Sequence, residues 1–240
     1  MILPEKKEGV KLINPRTLLL YGHPKIGKTS FATELECNLI ADLETGSEYV
    51  DAYKIEINSL DELMELGAEL NKEENKGRYK YLTIDTITKL EEWTEWYATK
   101  RYMESSQGSA YNRKGGVLLP RHKWENVVTM GQGYGYKWAR EAMDIVLDKI
   151  ESFGLPVIYM GHVRDKIVSK DGVDIVAKEL DLTGKLSTKV MARVSAIGYM
   201  HRDENDDLMI SFKSAELAGG TRIKRLAGKI IPADWSLIYI

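Results

Sequence analysis

Short apolar runs alternate with stretches of helical spacing through the first two-thirds of the chain. "RTLLLYG" ends at Gly22 and predicts a buried parallel strand, with a helix starting near Lys28 that turns Phe31 and Leu35 inward. "CNLIADLE" and "AYKIEI" predict a second and a third strand. "SLDELMELGAELNKEEN" has amphipathic spacing, opened by Ser59 with Glu62 three residues on, the pattern of a capping box. "YKYLTIDT" predicts the next strand. "ITKLEEWTEWYATKRYM" then places Leu90, Trp93 and Tyr97 on one helix face, a stripe suited to core packing. A glycine-rich, basic interruption covers about 104–135. It is followed by a long helix, "YKWAREAMDIVLDKIESFG", and a strand, "LPVIYMGH", that ends at His162.

Beyond His162 the pattern changes. "VRDKIVSKDGVDIVAKEL" reads as a hairpin turning at Lys170-Asp171-Gly172, and "VSAIGYMHRDENDDLMISFK" as two strands joined at Asn205-Asp206. Strands alternating with helices, then hairpins, predict a three-layer α/β fold with a mainly parallel central sheet and antiparallel C-terminal strands. No repeat or linker divides the chain, so one domain over 1–240 is expected, with 1–16 as an N-terminal extension and 104–135 as an insertion.

Composition narrows the setting. Hydrophobic residues at 43% and charged residues at 29% suit a soluble globular protein. The longest apolar runs fall far short of the ~20 residues that span a bilayer. With one cysteine, Cys37, no internal disulfide can form, and a cytoplasmic location without membrane contact is expected. A net charge of −2 supplies no global attraction to nucleic acid, so any such binding must come from local patches.

Gly22-His23-Pro24-Lys25-Ile26-Gly27-Lys28-Thr29 spells G-x-x-x-x-G-K-[ST], between a predicted strand and a predicted helix. Backbone N–H groups of this loop and of the helix start, with Ser30, can surround a β-phosphate, while Lys28 reaches the β- and γ-phosphates. The Thr29 hydroxyl suits Mg²⁺, and Asp85, closing "YLTID", is the natural second metal-site carboxylate. A competing role for Asp85 is to cap the following helix. Asp42 and Glu44, at the end of the second strand, could orient or deprotonate a water attacking a γ-phosphate. His162, at a third strand end, could hydrogen-bond that phosphate.

Taken together, "GHPKIGKT", "LIADLETG", "LTIDTITKL" and "VIYMGHVRDK" resemble, in that order, the RecA-like P-loop ATPases. The resemblance implies ATP and Mg²⁺ as ligands, Glu44 as catalytic base, Asp85 as metal-site aspartate and His162 as γ-phosphate sensor, followed by Arg164 and Lys166 in a DNA-binding loop. More narrowly, Pro24-Lys25, "GYGY" at 133–136 and "GGTRIKRLAG" resemble phage-encoded, minimal RecA-like single-strand annealing proteins. Such proteins imply single-stranded DNA, a homo-oligomer (ring or filament), a single-stranded DNA-binding protein as a further partner, and the host cytoplasm. They also imply a cation donated by a neighbouring subunit, for which Lys213, Arg222 and Lys224 are candidates. His162 stands where the bacterial recombinase has glutamine, and a hairpin follows it.

Residues 111–140 hold six basic side chains (Arg113, Lys114, Arg121, Lys123, Lys137 and Arg140) against Glu125 alone, a local charge of +5. Tyr111, Trp124, Tyr134, Tyr136 and Trp138 are interleaved with them, the ingredients of sequence-tolerant single-strand binding. The alternative is a solvated insertion whose aromatic rings pack into the domain, and Trp138 is expected to pack in this way. Three functions remain open: an oligomeric ATPase acting on single-stranded DNA in annealing or recombination, a regulatory nucleotide module or helicase loader acting on a protein, and a small-molecule kinase. No guanine-reading N-K-x-D string is present, which favours ATP. No paired-arginine lid is apparent, which disfavours the kinase.

Overall fold

Strand β1, Thr17–Gly22, is buried along its whole length and sits in mid-sheet, as its uninterrupted apolar run requires. In this computed structural model the described residues are 9, 13–111, 113–114, 117–130, 133, 135–170, 173–213 and 220–240. The side chains of 111, 113–114, 117–118, 168–170 and 173–175 lie outside the description.

From β1 the chain passes through α1 (Lys28–Thr33), β2 (Asn38–Asp42), β3 (Tyr53–Glu56), α2 (Leu60–Leu70), β4 (Tyr81–Asp85) and α3 (Ile87–Glu104). The segment read as an interruption carries α4 (Ser106–Tyr111) and a two-stranded ribbon of β5 (Arg113–Lys114) and β6 (Val117–Leu118). Then come α5 (Gly135–Glu151), β7 (Val157–Lys170), β8 (Val173–Leu180), α6 (Leu186–Arg193), β9 (Ala196–Arg202), β10 (Leu208–Ser211) and β11 (Ile230–Pro232).

The main sheet runs β11-β10-β9-β1-β7-β4-β2-β3, with β8 paired to β7. Strands β9, β1, β7, β4, β2 and β3 are mutually parallel, and β8, β10 and β11 join antiparallel. Alternate residues of β1 serve opposite faces. Leu19 and Tyr21 join a core built with Leu63, Leu90, Leu147 and Val190 of α2, α3, α5 and α6. Leu18 and Leu20 face Phe31, Leu226, Trp235 and Ile238. Helix, sheet, and a mixed layer of α1 and C-terminal segment make the expected three layers. Phe31 is buried on α1. Leu35, past the end of that short helix, is buried too. Leu90 is buried on α3, with Trp93 and Tyr97 packed partly buried against the same core.

Two expectations are corrected. His162 does not end a strand, because β7 runs on eight residues past it and pairs with β8 from Val163 to Lys170. Its side chain therefore stands where the parallel sheet hands over to the hairpin, the last β1 partner being Gly22↔His162. The capping of α2 is also shifted by one residue. Ser59 accepts from the Glu62 N–H, but Glu62 reaches the N–H of Asn58 rather than that of Ser59. The hairpin turn expected at 170–172 falls on positions outside the described residues, Lys170 in its side chain and the other two entirely.

Candidate nucleotide site

Four parallel strands deliver the candidate side chains to one sheet edge: Gly22 closes β1, Asp42 closes β2, Asp85 closes β4, and His162 lies level with Gly22 on β7. They meet around a cleft of about 480 Å³, lined by the loop after β1 and by Glu44, Asp85, Thr86, His162 and Tyr49. This is the carboxyl edge of the sheet, where α/β folds place their ligands.

The loop's glycines have physical reasons. A Cβ on Gly22 would stand 2.7 Å from the Met200 carbonyl oxygen of the adjoining strand. Gly27 has φ 114°, a left-handed value that favours glycine, and it begins α1 without a side-chain cap on the helix N-terminus. A first turn left uncapped in this way is suited to a phosphate. Lys28 is buried and donates Nζ–H to the carbonyls of Gly22 (3.2 Å) and His23 (3.0 Å). Burial lowers its pKa, against the opposing pull of Asp85 and Glu44. An arriving phosphate chain would give that ammonium a better partner than two neutral carbonyls.

Thr29 Oγ1 donates to Asp85 Oδ2 at 2.7 Å, and the helix after Asp85 is capped by Thr86 instead. Burial raises the Asp85 pKa, with the Thr29 hydrogen bond opposing it. Side by side, a hydroxyl and a carboxylate are hard oxygen donors that fit Mg²⁺. Among the described residues no group of three metal-binding side chains occurs. The ion's other positions would therefore be filled by phosphate oxygens and water, as Mg²⁺ prefers.

Asp42 and Glu44 separate into different roles. Asp42 is buried and accepts backbone N–H groups from Glu44 (3.0 Å), Gly46 (3.4 Å) and Ser47 (2.8 Å). Burial pushes its pKa up, and the hydrogen bonds from Ser47, Glu44 and Gly46 outweigh it and hold the carboxyl below its ordinary range. Asp42 thus shapes the turn and has little left to offer water. Glu44, two residues beyond β2, keeps 37% of its side chain exposed to the cleft. His162 Nε2 stands 3.3 Å from both of its carboxylate oxygens, and Thr86 Oγ1 donates to Oε1 at 2.6 Å. The His162 hydrogen bond leads in depressing the Glu44 pKa, with help from Thr86 and Lys28 against burial. An ionised carboxylate can only accept, so Nε2 must carry a hydrogen.

Two residues on the cleft escaped the sequence reading. Tyr49, in the short helical turn Ser47–Tyr49, is 92% exposed at the cleft rim. Thr86 is 1% exposed beneath it. Nothing in the local sequence marked either, since a threonine before a helix reads only as a cap.

None of the described candidate DNA residues lines the cleft. Arg164 Nη2 and Lys166 Nζ both reach Glu179, at 2.9 and 3.0 Å, across the β7–β8 hairpin. Arg121 faces Glu104 at 3.4 Å and lies over the Trp124 ring, while Lys123 is exposed. Trp124 and Trp138 pack partly buried against a small core with Met103, Val127 and Met130, and Tyr136 stays 39% exposed. Tyr134 and the side chains of Tyr111, Arg113 and Lys114 lie outside the described residues. Of the candidate trans cations, Arg222 donates to the Ala192 carbonyl at 2.6 Å, and Lys213 and Lys224 are exposed.

A phosphate loop, a hydroxyl–carboxylate pair for a divalent ion and an independently held glutamate define a P-loop nucleotide-binding ATPase. Residues 14–227 match the AAA_24 family, described as an AAA domain, and the chain belongs to that family. Among solved structures it is similar to the KaiC-like protein PH0186 from the hyperthermophilic archaeon Pyrococcus horikoshii OT3. That likeness is distant: 14% identity over 90% of this chain and 83% of the other, with a TM-score of 0.46. No curated protein matches the chain. No described helix is long and apolar enough to cross a membrane.

Proposed function

We propose that this protein is a Mg²⁺-dependent ATPase acting on single-stranded DNA in annealing or recombination, the setting of the phage proteins it resembles. The observation that carries the hydrolytic part is Glu44. Its carboxylate is ionised, faces the cleft opposite Lys28, and is held by Thr86 and His162 rather than locked in a salt bridge with Lys or Arg. With ATP on the loop, a water between Glu44 and the γ-phosphate loses a proton to the carboxylate. The water oxygen bonds to the γ-phosphorus, and the bond to the β–γ bridging oxygen breaks, leaving ADP and phosphate. Bound beside Thr29 and Asp85, Mg²⁺ supplies charge neutralisation on the β- and γ-phosphates. The exposed ring of Tyr49 offers the base a stacking surface at the cleft rim.

His162 ties Glu44 down before nucleotide arrives. A γ-phosphate brings a second anionic acceptor within the reach of Nε2, and a shift of His162 toward it leaves the carboxylate free for water. The DNA part rests on continuity: Arg164 and Lys166 follow His162 on the same strand, so a change at His162 reaches the hairpin without a joint. A second copy of the chain would supply any trans cation, from Lys213 or Lys224.

The test is ATP turnover with and without single-stranded DNA, in wild type and Glu44→Gln. Hydrolysis stimulated by DNA, and a Gln variant that binds ATP but turns over about 10²–10⁴-fold more slowly, is the expected result. Turnover indifferent to DNA, with no salt-sensitive DNA binding, would move the protein to a regulatory module acting on a protein partner.

A further inference from the structure

We infer that Thr86 is the positioning residue that assigns the proton-accepting oxygen of Glu44, reserving Oε2 for the attacking water. The inference rests on the hydrolytic reading of Glu44 and goes beyond it, because it concerns which atom acts and what holds it.

A threonine hydroxyl has one proton to give and can accept on its oxygen. At Thr86 both capacities are spoken for. Oγ1 accepts the N–H of Lys89 at 3.2 Å, closing the first turn of α3, and a backbone N–H can only donate. Its single proton therefore goes outward, to Glu44 Oε1 at 2.6 Å. The direction of this short chain is fixed by chemistry: α3 donates to the hydroxyl, and the hydroxyl donates to the carboxylate. Each bond polarises the next, with the positive end of an 18-residue helix behind them.

The two oxygens of Glu44 are consequently unequal. Oε1 carries the Thr86 bond in addition to a share of His162, whereas among the described residues Oε2 has only His162 Nε2 at 3.3 Å. Once His162 turns to a γ-phosphate, Oε2 keeps no donor among the described residues and Oε1 is still engaged. The Lys89 N–H holds the hydroxyl oxygen in place, and Thr86, 1% exposed and directly after the buried Asp85, is packed on the same helix start. Its neighbour Thr88 receives the His162 backbone N–H at 3.2 Å, which joins the same helix end to the strand bearing the imidazole. One helix start therefore holds Glu44 by a side chain and β7 by its backbone.

Thr86→Val keeps the shape and removes the hydroxyl; Thr86→Ser keeps the hydroxyl. Steady-state hydrolysis and the affinity for a fluorescent ATP analogue are measured for both beside wild type and Glu44→Gln. The expected result is a fall of about 10- to 100-fold in kcat for the Val variant, the scale of a misplaced reacting group, with KM and analogue affinity within about threefold of wild type. The Ser variant should recover kcat to within a few-fold. Wild-type kcat in the Val variant, with Glu44→Gln inactive, overturns the Thr86 inference while leaving the hydrolytic reading intact. A loss shared equally by the Ser variant, or matched by lost analogue affinity, overturns it too, since either marks a structural effect. Absence of turnover in wild type sinks the hydrolytic reading first.

Discussion

The nucleotide cleft and the hairpin of β7 and β8 both hold charged side chains in contact, with opposite consequences. In the cleft the contacts prepare groups for a ligand. Lys28 rests on two neutral carbonyls, and Glu44 is held by the Thr86 hydroxyl and by His162 rather than by a lysine or arginine. On the hairpin the contacts consume charge. Glu179, with only 3% of its side chain exposed, takes both Arg164 and Lys166, and burial pushing its pKa up is outweighed by those two cations. Arg121 likewise meets Glu104 on the surface, a weaker pair in water. A cation near a site is thus no measure of a free cation; what matters is the partner it must leave.

The strongest way to sharpen this contrast is Lys28→Ala. Removing the only cation buried in the phosphate loop should weaken ATP binding by on the order of 100-fold, because a charge-assisted contact to phosphate is lost where water is excluded. The affinity for a fluorescent ATP analogue checks it, and single-stranded DNA binding without nucleotide should be unchanged. If both affinities fell together, the two regions would not be separable.

Glu179→Gln probes the other side with a smaller effect. A neutral amide keeps the shape but gives up most of the attraction for Arg164 and Lys166, freeing two cations for phosphates. Single-stranded DNA should bind about 3- to 10-fold more tightly at moderate salt, with the logarithmic salt dependence steeper by about 1 to 2. ATP affinity should not move. Unchanged or weaker DNA binding would mean that DNA does not lie along this hairpin.

These outcomes bear on what the sequence could disclose. The phosphate loop was legible because its chemistry is spelled locally: Gly22, Gly27, Lys28 and Thr29 lie within eight residues, and the backbone alone brings them together. Asp85 was legible from its place after an apolar run. Glu44 was legible as one of two carboxylates, but its separation from Asp42 depended on which oxygen captured the turn N–H groups, a fact of geometry. His162 was misplaced at a strand end because the parallel segment and the hairpin are one strand, and alternation of side chains carries no mark where the pairing partner changes. The pairing of Arg164 with Glu179 spans 15 residues and appears only with the hairpin register. Trp138 packs against a small core, as its place in a long helix led one to expect, and Trp124, counted as a stacking ring, serves in part as core too.

A third effect, on stability rather than on binding, lies between the two regions, on α3, which starts at the cleft and ends at the residue facing Arg121. Glu91 of this helix is buried and accepts the Thr183 N–H at 2.7 Å, tying α3 to the loop that follows the hairpin. Burial pushes its pKa up to about 7 from an ordinary 4.5, with Glu95 and Asp181 adding to the rise and the Thr183 bonds opposing it. The unfolded chain loses this proton near pH 4.5 and the folded chain only near pH 7. The group's contribution is therefore fully present below pH 4.5, declines between the two values, and is lost above pH 7. Glu91→Gln keeps an oxygen for Thr183 and carries no charge, so it should remove that decline. At pH 8 the variant should be more stable than wild type by on the order of 1–3 kcal/mol, or several degrees in Tm. At pH 4.5 the two should nearly coincide. Melting curves across this range decide it: parallel curves for the two proteins would show that Glu91 is held ionised at neutral pH, and that the link between α3 and the hairpin loop is an ordinary carboxylate contact.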